Sequence, residues 1–205
     1  MNTKAPFIAI SRHRIQTDGE GVTTLCCFFG CPLRCKYCIN PQSFAEDTKK
    51  LELTPQELFE RVKIDDLYFI ATNGGVTFGG GEPLLYPDFI AEFATICGEK
   101  WHLSVETSLN VPADSVKTAA SAVDYFIIDI KDMNPEIYRE YTGVSNERVY
   151  KNLELLLSLV GTERILVRVP LIDGYNSEID REQSIGILRK MGYTRFDLFE
   201  YRIKR

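Results

Sequence analysis

The chain has no surplus of positive charge: 24 Lys and Arg stand against 29 Asp and Glu, a net charge of -5 over 205 residues. Proteins that hold a polyphosphate backbone need a basic face, so no nucleic-acid partner is expected. The short basic clusters, Lys49-Lys50 and the tail from Arg202 to Arg205, read as solvated surface. No run approaches the roughly 20 apolar residues of a membrane span, and the stretch from Met1 to Ile10 lacks the long apolar core of a secretory leader. A cytoplasmic protein without a membrane partner is therefore expected. No G-x-G-x-x-G follows the first strand-like run and no P-loop occurs, which removes the main support for a nucleotide-binding Rossmann domain. Internal repeats, low-complexity tracts and linkers are absent too, so residues 1–205 are expected to form one domain.

What is present is an ordinary globular composition, 44% hydrophobic and 26% charged, enough to bury a full-sized core. Apolar, β-rich runs alternate with helix-period segments along the whole chain. Strands are predicted over 23–28, 75–78, 102–106, 125–130, 164–169 and 195–201. Helices are predicted over 54–62, 86–99, 113–122, 135–141, 145–159 and 177–191. The first helix is announced by Thr54, with Pro55 at its first position and Glu57 three residues on. Strand alternating with helix implies an α/β fold with a parallel sheet, as either a partial barrel or an open doubly wound sheet. In both, ligands lie at the carboxyl ends of strands.

Five of the six cysteines crowd into positions 26 to 38, and Cys97 stands alone. Such crowding is the mark of a metal site in a reducing compartment rather than of disulfides. Cys31, Cys35 and Cys38 form C-x3-C-x2-C, a spacing that brings three thiolates to an iron-sulfur cluster and leaves one iron open to an outside ligand. A zinc site with Cys26 or Cys27 as fourth ligand is the rival, but zinc sites usually show a second C-x-x-C pair, and none follows. Cys26, Cys27 and Cys97 lie in apolar patterns and read as buried thiols.

Further constellations fall at predicted strand ends. Gly79, Gly80 and Gly81 precede Glu82-Pro83, and a glycine-rich turn lets a ligand approach the backbone. Glu106, Thr107 and Ser108 offer an acid and two hydroxyls for a ribose or a monovalent cation, or else Ser108 or Asn110 caps the next helix. Strand alternation puts Asp129 and Lys131 on one face, as an ion pair or as ligand contacts. Arg168 interrupts an apolar strand and needs a carboxylate, from the protein or from a ligand.

The stretches from Gly30 to Asn40, Gly74 to Thr77, Gly80 to Glu82, Asp129 to Lys131, Tyr141 to Asn146 and Arg168 to Pro170 together resemble the radical S-adenosylmethionine (SAM) enzymes. Within these, the chain resembles the activating enzymes of glycyl-radical enzymes. The resemblance implies a partial (β/α)6 TIM-like barrel, a [4Fe-4S] cluster on Cys31, Cys35 and Cys38, and SAM chelated by the open iron. It implies reductive cleavage of SAM to a 5'-deoxyadenosyl radical, which takes a hydrogen from a glycine of a partner glycyl-radical enzyme. Flavodoxin or ferredoxin is implied as the electron donor. The implied cofactor-binding set is Tyr37, Asn40, Gly79, Gly80, Gly81, Glu82, Glu106, Ser108, Asp129, Lys131 and Arg168. A small radical SAM enzyme acting alone on a peptide or small molecule, and a non-catalytic iron-sulfur or zinc protein, are the alternatives. Glu106 stands where the family often has aspartate, and Phe199-Glu-Tyr201 where it has a histidine on the last strand. No insert for an auxiliary cluster is present.

Overall fold

A computed structural model describes residues 3–201; the basic tail from Arg202 lies outside them. The predicted strands all form, as β2 (Val22–Phe28), β4 (Gly75–Gly80), β5 (His102–Thr107), β6 (Tyr125–Asp129), β7 (Ile165–Leu171) and β8 (Phe196–Glu200). Two further strands precede or follow the first of these: β1 (Ala5–Ile15) and the three-residue β3 (Leu51–Leu53). The sheet order is β3-β1-β2-β4-β5-β6-β7-β8, parallel from β2 onward, with β1 antiparallel to both of its neighbours. The predicted helices form as α1 (Pro55–Val62), α3 (Pro87–Cys97), α4 (Ala113–Ala120), α5 (Pro135–Thr142), α6 (Glu147–Val160) and α7 (Glu178–Met191), with one more, α2 (Asp66–Thr72).

From β2 to β8 the strands lie in chain order with no reversal. Right-handed crossovers then place successive helices on one face of the sheet. Accordingly α1 packs on α3, α3 on α4 and α4 on α6. This decides between the two architectures in favour of a curled, unclosed barrel, and the doubly wound alternative, which needs helices on both faces, drops out.

Residue alternation sorts the sheet into two faces. Val76 and Phe78 of β4, Leu103 and Val105 of β5, Phe126 and Ile128 of β6, and Ile165, Val167 and Val169 of β7 all join one buried core beneath the helices. Phe7, Phe28, Phe78, Phe89 and Phe93 interlock there, with ring centroids 4.4 to 5.9 Å apart. The intervening residues, among them Thr77, Gly79, Ser104, Glu106, Asp129 and Arg168, face the lumen. Cys26 lies in the core, whereas Cys27 is buried outside it, toward the lumen. Helix starts follow local chemistry. Thr54 and Glu57 cap α1 reciprocally, at 3.2 and 2.8 Å, and Ser177 with Asp180 does the same for α7.

Candidate functional site

The cysteine loop leaves β2 at the carboxyl end of the sheet and is suspended between two supports. On the first side, Gly30 takes a positive φ of 98° and its N–H bonds the Ser43 carbonyl at 2.7 Å. Glu82 N donates to Gly30 O at 2.7 Å, and Asn40 Nδ2 donates to Gly80 O at 3.1 Å. On the second side, Arg34 N donates to Thr142 O at 2.9 Å and Lys36 N to Tyr141 O at 3.1 Å. Gly143 caps α5 in the left-handed region, against Arg34 Cβ. The stretch from Tyr141 to Asn146, noted in the sequence without a physical role, is thus the far strut of the loop.

All six cysteines are free thiols. Burial first, then Glu82, Cys35 and Cys38, push the Cys31 thiol up to about 12 against a backbone hydrogen bond from Leu33. Burial likewise raises Cys35, with Lys131 pulling it down and Cys38 and Asp129 pushing it up. The three thiols therefore share one electrostatic neighbourhood, and holding Cys31 and Cys35 as thiolates calls for added positive charge. Among the described residues, no three His, Cys, Asp or Glu side chains converge on a point that would hold a single ion. Three cysteine thiols on one loop, with Cys35 and Cys38 both acting on Cys31, are the kind of donor set that ligates a [4Fe-4S] cluster.

The glycine turn is shaped by the chain itself. A Cβ on Gly81 would sit 2.1 Å from the Gly30 carbonyl oxygen, and one on Gly80 would sit 2.6 Å from Cys27 Cα. Gly79 faces Glu106, whose Oε2 would lie 3.0 Å from an added Cβ. Glu82 holds the turn in place. It is fully buried and accepts from Leu84 N (3.1 Å), Thr107 Oγ1 (2.7 Å), Ser108 N (2.9 Å) and Ser108 Oγ (2.6 Å). Burial raises its carboxyl even against these donors.

The hydroxyls of Thr107 and Ser108 donate inward to Glu82, so each has only oxygen lone pairs to offer a ribose or a cation. Neither Ser108 nor Asn110 caps α4, whose N-cap is Pro112. Asn110 Nδ2 instead donates to Ser145 O at 3.0 Å and Tyr138 OH at 3.3 Å, bracing the far strut.

Across the lumen the register sets Arg168 between Asp129 and Asp197. Its Nη1 lies 2.8 Å from Glu106 Oε1 and 3.8 Å from Asp129, and its Nε lies 3.7 Å from Asp197. The carboxylate that Arg168 was expected to need comes from the protein. Despite the short approach, Glu106 Oε1 is buried and receives no aligned hydrogen bond. Burial lifts the Glu106 carboxyl to about 7, with Arg168 opposing and Asp129 and Asp18 adding to the rise. Lys131 pairs with Asp129 at 3.6 Å and donates to Tyr201 OH at 2.9 Å. Burial lowers its pKa, but Asp129, Tyr201 and Cys35 outweigh that and hold it well above the ordinary lysine value.

Sequence reasoning missed the floor of the lumen. The β1–β2 hairpin tip folds in from the amino-terminal ends of the strands: Thr77 Oγ1 donates to Asp18 O, and Arg168 Nη2 donates to Thr17 O at 2.9 Å. Asp18 is buried and paired with Arg14. The available signal was Asp18-Gly19-Glu20-Gly21, a turn sequence flanked by charge. An aromatic wall was also missed, in which Tyr37, Tyr141 and Tyr175 meet at 5.1 to 6.0 Å and Tyr201 stands 6.2 Å from Tyr141.

Comparison with known proteins agrees with this geometry. The sequence profile of the Radical SAM superfamily matches residues 25–183. The (2S)-3-sulfopropanediol dehydratase activating enzyme of Klebsiella oxytoca is 29% identical, over 94% of this chain and 80% of its own length. The 4-hydroxyphenylacetate decarboxylase activating enzyme of Clostridioides difficile is 27% identical, over 90% of this chain and 78% of its own. Among solved structures, Streptococcus suis SuiB bound to S-adenosylmethionine superposes with a TM-score of 0.64 at 15% identity, covering 84% of this chain and 39% of that one.

Proposed function

The chain belongs to the radical SAM superfamily, and on that premise we propose that it is an activating enzyme that installs a glycyl radical on a partner protein. One observation carries the reading: Cys31, Cys35 and Cys38 are gathered on a single loop at the lumen mouth, while Cys26 and Cys97 are spent in the core. Three cysteine ligands leave one iron of a [4Fe-4S] cluster for SAM. Bound there, cluster and SAM supply a one-electron cleavage that yields a carbon radical able to take a glycine hydrogen.

The chain's own residues divide the remaining work. The backbone of Gly79 to Gly81 lines the mouth beside the cysteines, and Glu82 keeps that turn rigid through Thr107 and Ser108. Asn40 locks the loop to the turn, and Tyr37 closes one wall. Glu106, whose Oε1 is ion-paired with Arg168 but receives no aligned hydrogen bond, accepts from a hydroxyl of the nucleoside. Asp129 and Lys131 offer a charged pair to the methionyl end. Arg168 acts one step removed, fixing Glu106 and tying it to the hairpin floor. The aligned activating enzymes each bear the name of the enzyme they activate, which favours a protein substrate.

Protein reconstituted anaerobically with iron and sulfide, then reduced, should cleave SAM. Given a glycyl-radical enzyme deuterated at glycine Cα, it should place deuterium in 5'-deoxyadenosine and produce a glycyl signal in electron paramagnetic resonance. SAM cleavage that survives Cys31→Ala, Cys35→Ala or Cys38→Ala would refute the cluster assignment. Cleavage without deuterium transfer from any such partner would refute the glycyl-radical reading alone.

A further inference from the structure

We propose that the chain pairs with a second copy of itself as a two-fold dimer through the outer face of α2, at the opposite end of the sheet from the cysteine loop. The segment from Lys63 to Thr72 is helical throughout, a tight turn running into α2. It carries Ile64, Leu67 and Ile70 at a spacing that sets them along one side. An apolar stripe of that kind normally turns to the core. Here Asp65 and Phe69 turn inward, Phe69 against Trp101 at 5.2 Å, while Ile64, Leu67, Tyr68 and Ile70 are 67, 79, 53 and 60% exposed. Single exposed apolar side chains are ordinary, but these four together present on the order of 500 Å², as much as the largest apolar patch of a typical monomer.

A recess lies beside the stripe. Phe59 and Trp101, stacked 5.0 Å apart, line with Ile64 a cavity of about 630 Å³ rimmed by Glu60, Lys63, Asp66 and Lys100. Glu60 and Lys63 pair with each other, and Asp66 accepts from Trp101 Nε1 at 2.7 Å. The face thus offers a projecting ridge and a recess side by side, inside a rim of balanced charge. That combination selects the occupant. A two-fold interface lays one patch onto itself, so ridge must meet recess and charge must balance within a single surface. Leu67 and Ile70 of one copy enter the recess of the other. A balanced rim gives no preference to a strongly acidic or basic partner. Ridge, recess and rim together approach the ~800 Å² that each side of a stable interface buries.

Placement separates this face from the partners of the proposed reaction. Thr72 Oγ1 accepts from Val22 N, at the start of β2, at 2.8 Å, and Trp101 stands just before β5. Both mark the amino-terminal ends of strands, whereas the cysteine loop leaves β2 at its carboxyl end. The strand has 7 residues, roughly 20 Å at ~3.3 Å each. Two copies joined at α2 therefore keep both lumen mouths open.

Sedimentation velocity of the metal-free and the reconstituted chain between about 1 and 100 µM should show a 23.4 kDa monomer passing to a species of twice that mass. Leu67→Glu with Ile70→Glu should raise the dissociation constant at least about a hundredfold, because it buries carboxylates at the contact. Both side chains are exposed, so the far-ultraviolet circular dichroism spectrum and iron uptake should stay unchanged. Ile179→Glu, at an equally exposed apolar position on α7, should leave the dimer intact. A wild type that stays monomeric at the top of that range would overturn the proposal, as would a dimer that survives the double substitution or is equally broken by Ile179→Glu. Growth past two copies would overturn it too, since a closed two-fold cannot extend. A monomer that floats with mixed phosphatidylcholine and phosphatidylglycerol vesicles, and ceases to after the double substitution, would give the face to a lipid surface instead.

Discussion

Two carboxylates in the same lumen show how environment decides a residue's use. Glu82 is surrounded by four donors and serves as a structural pin. Glu106, two strands of side chains away from comparable saturation, has one cation and an oxygen with no aligned donor. Its carboxyl is raised from 4.5 to about 7, so between those values the folded chain keeps a proton that the unfolded chain has released. Stability should fall as pH rises through that window, because the native state there binds more protons. Glu106→Gln removes this contribution. In urea titrations at pH 5 and pH 8, the variant's stability relative to wild type should improve at the higher pH by on the order of 1–3 kcal/mol. An identical difference at both pH values would show that Glu106 is ionised throughout.

At the scale of elements, the cysteine loop owes its shape to what it leans on. Gly81 is the tightest point, since any side chain there meets the Gly30 carbonyl oxygen at 2.1 Å. Gly81→Ala should therefore displace the loop while leaving the helices and most of the sheet intact. The expected result is a several-fold loss of iron bound after reconstitution, with an unchanged far-ultraviolet circular dichroism spectrum; full iron occupancy would show that the loop does not depend on this contact.

Most elements were legible because their burial is periodic. The parallel strands are near-continuous apolar runs, and α1 announces itself through Thr54, Pro55 and Glu57. The failures have the same physical origin. In β1, the segment Ser11-Arg12-His13-Arg14 masks the strand, because it lies beyond Phe7, where pairing with β3 stops, and has register shifts and polar side chains that find partners such as Asp65. In α2, Leu67, Tyr68 and Ile70 are exposed, so no core-facing stripe marks a helix. At the site, the cysteines and glycines were readable as types at fixed spacing. The partners of Glu82, Ser108 and Arg168 were not, because they come from segments of chain 25 to 151 residues distant.

For the whole molecule, the distribution of charge matters more than its sum. Although the net charge is -5, Arg34, Lys36, Lys49 and Lys50 are exposed around the cysteine loop, and Lys50 Nζ stands 4.1 Å over the Phe29 ring. Glu46, Asp47 and Glu52 are exposed in the same segment, so the cations form a mixed surface in which Arg34 and Lys36 stand nearest the cysteines in sequence. If an acidic donor such as flavodoxin reduces the loaded enzyme at this face, the rate should fall several-fold between about 50 and 500 mM salt, and Lys49→Gln with Lys50→Gln should weaken that salt dependence. Rates indifferent to salt would place the donor elsewhere. Among the described residues no helix is long and apolar enough to cross a membrane.

Among the described residues the sheet ends in two strands, β3 and β8, that do not meet. A closed ring admits only what can be threaded through its mouth, a free chain end or a narrow finger. A ring with a seam can be loaded from the side, like an open bracelet, by a loop still anchored at both ends in a folded body. The cost of admitting such a guest is then a local rearrangement at the seam, and neither molecule has to unfold.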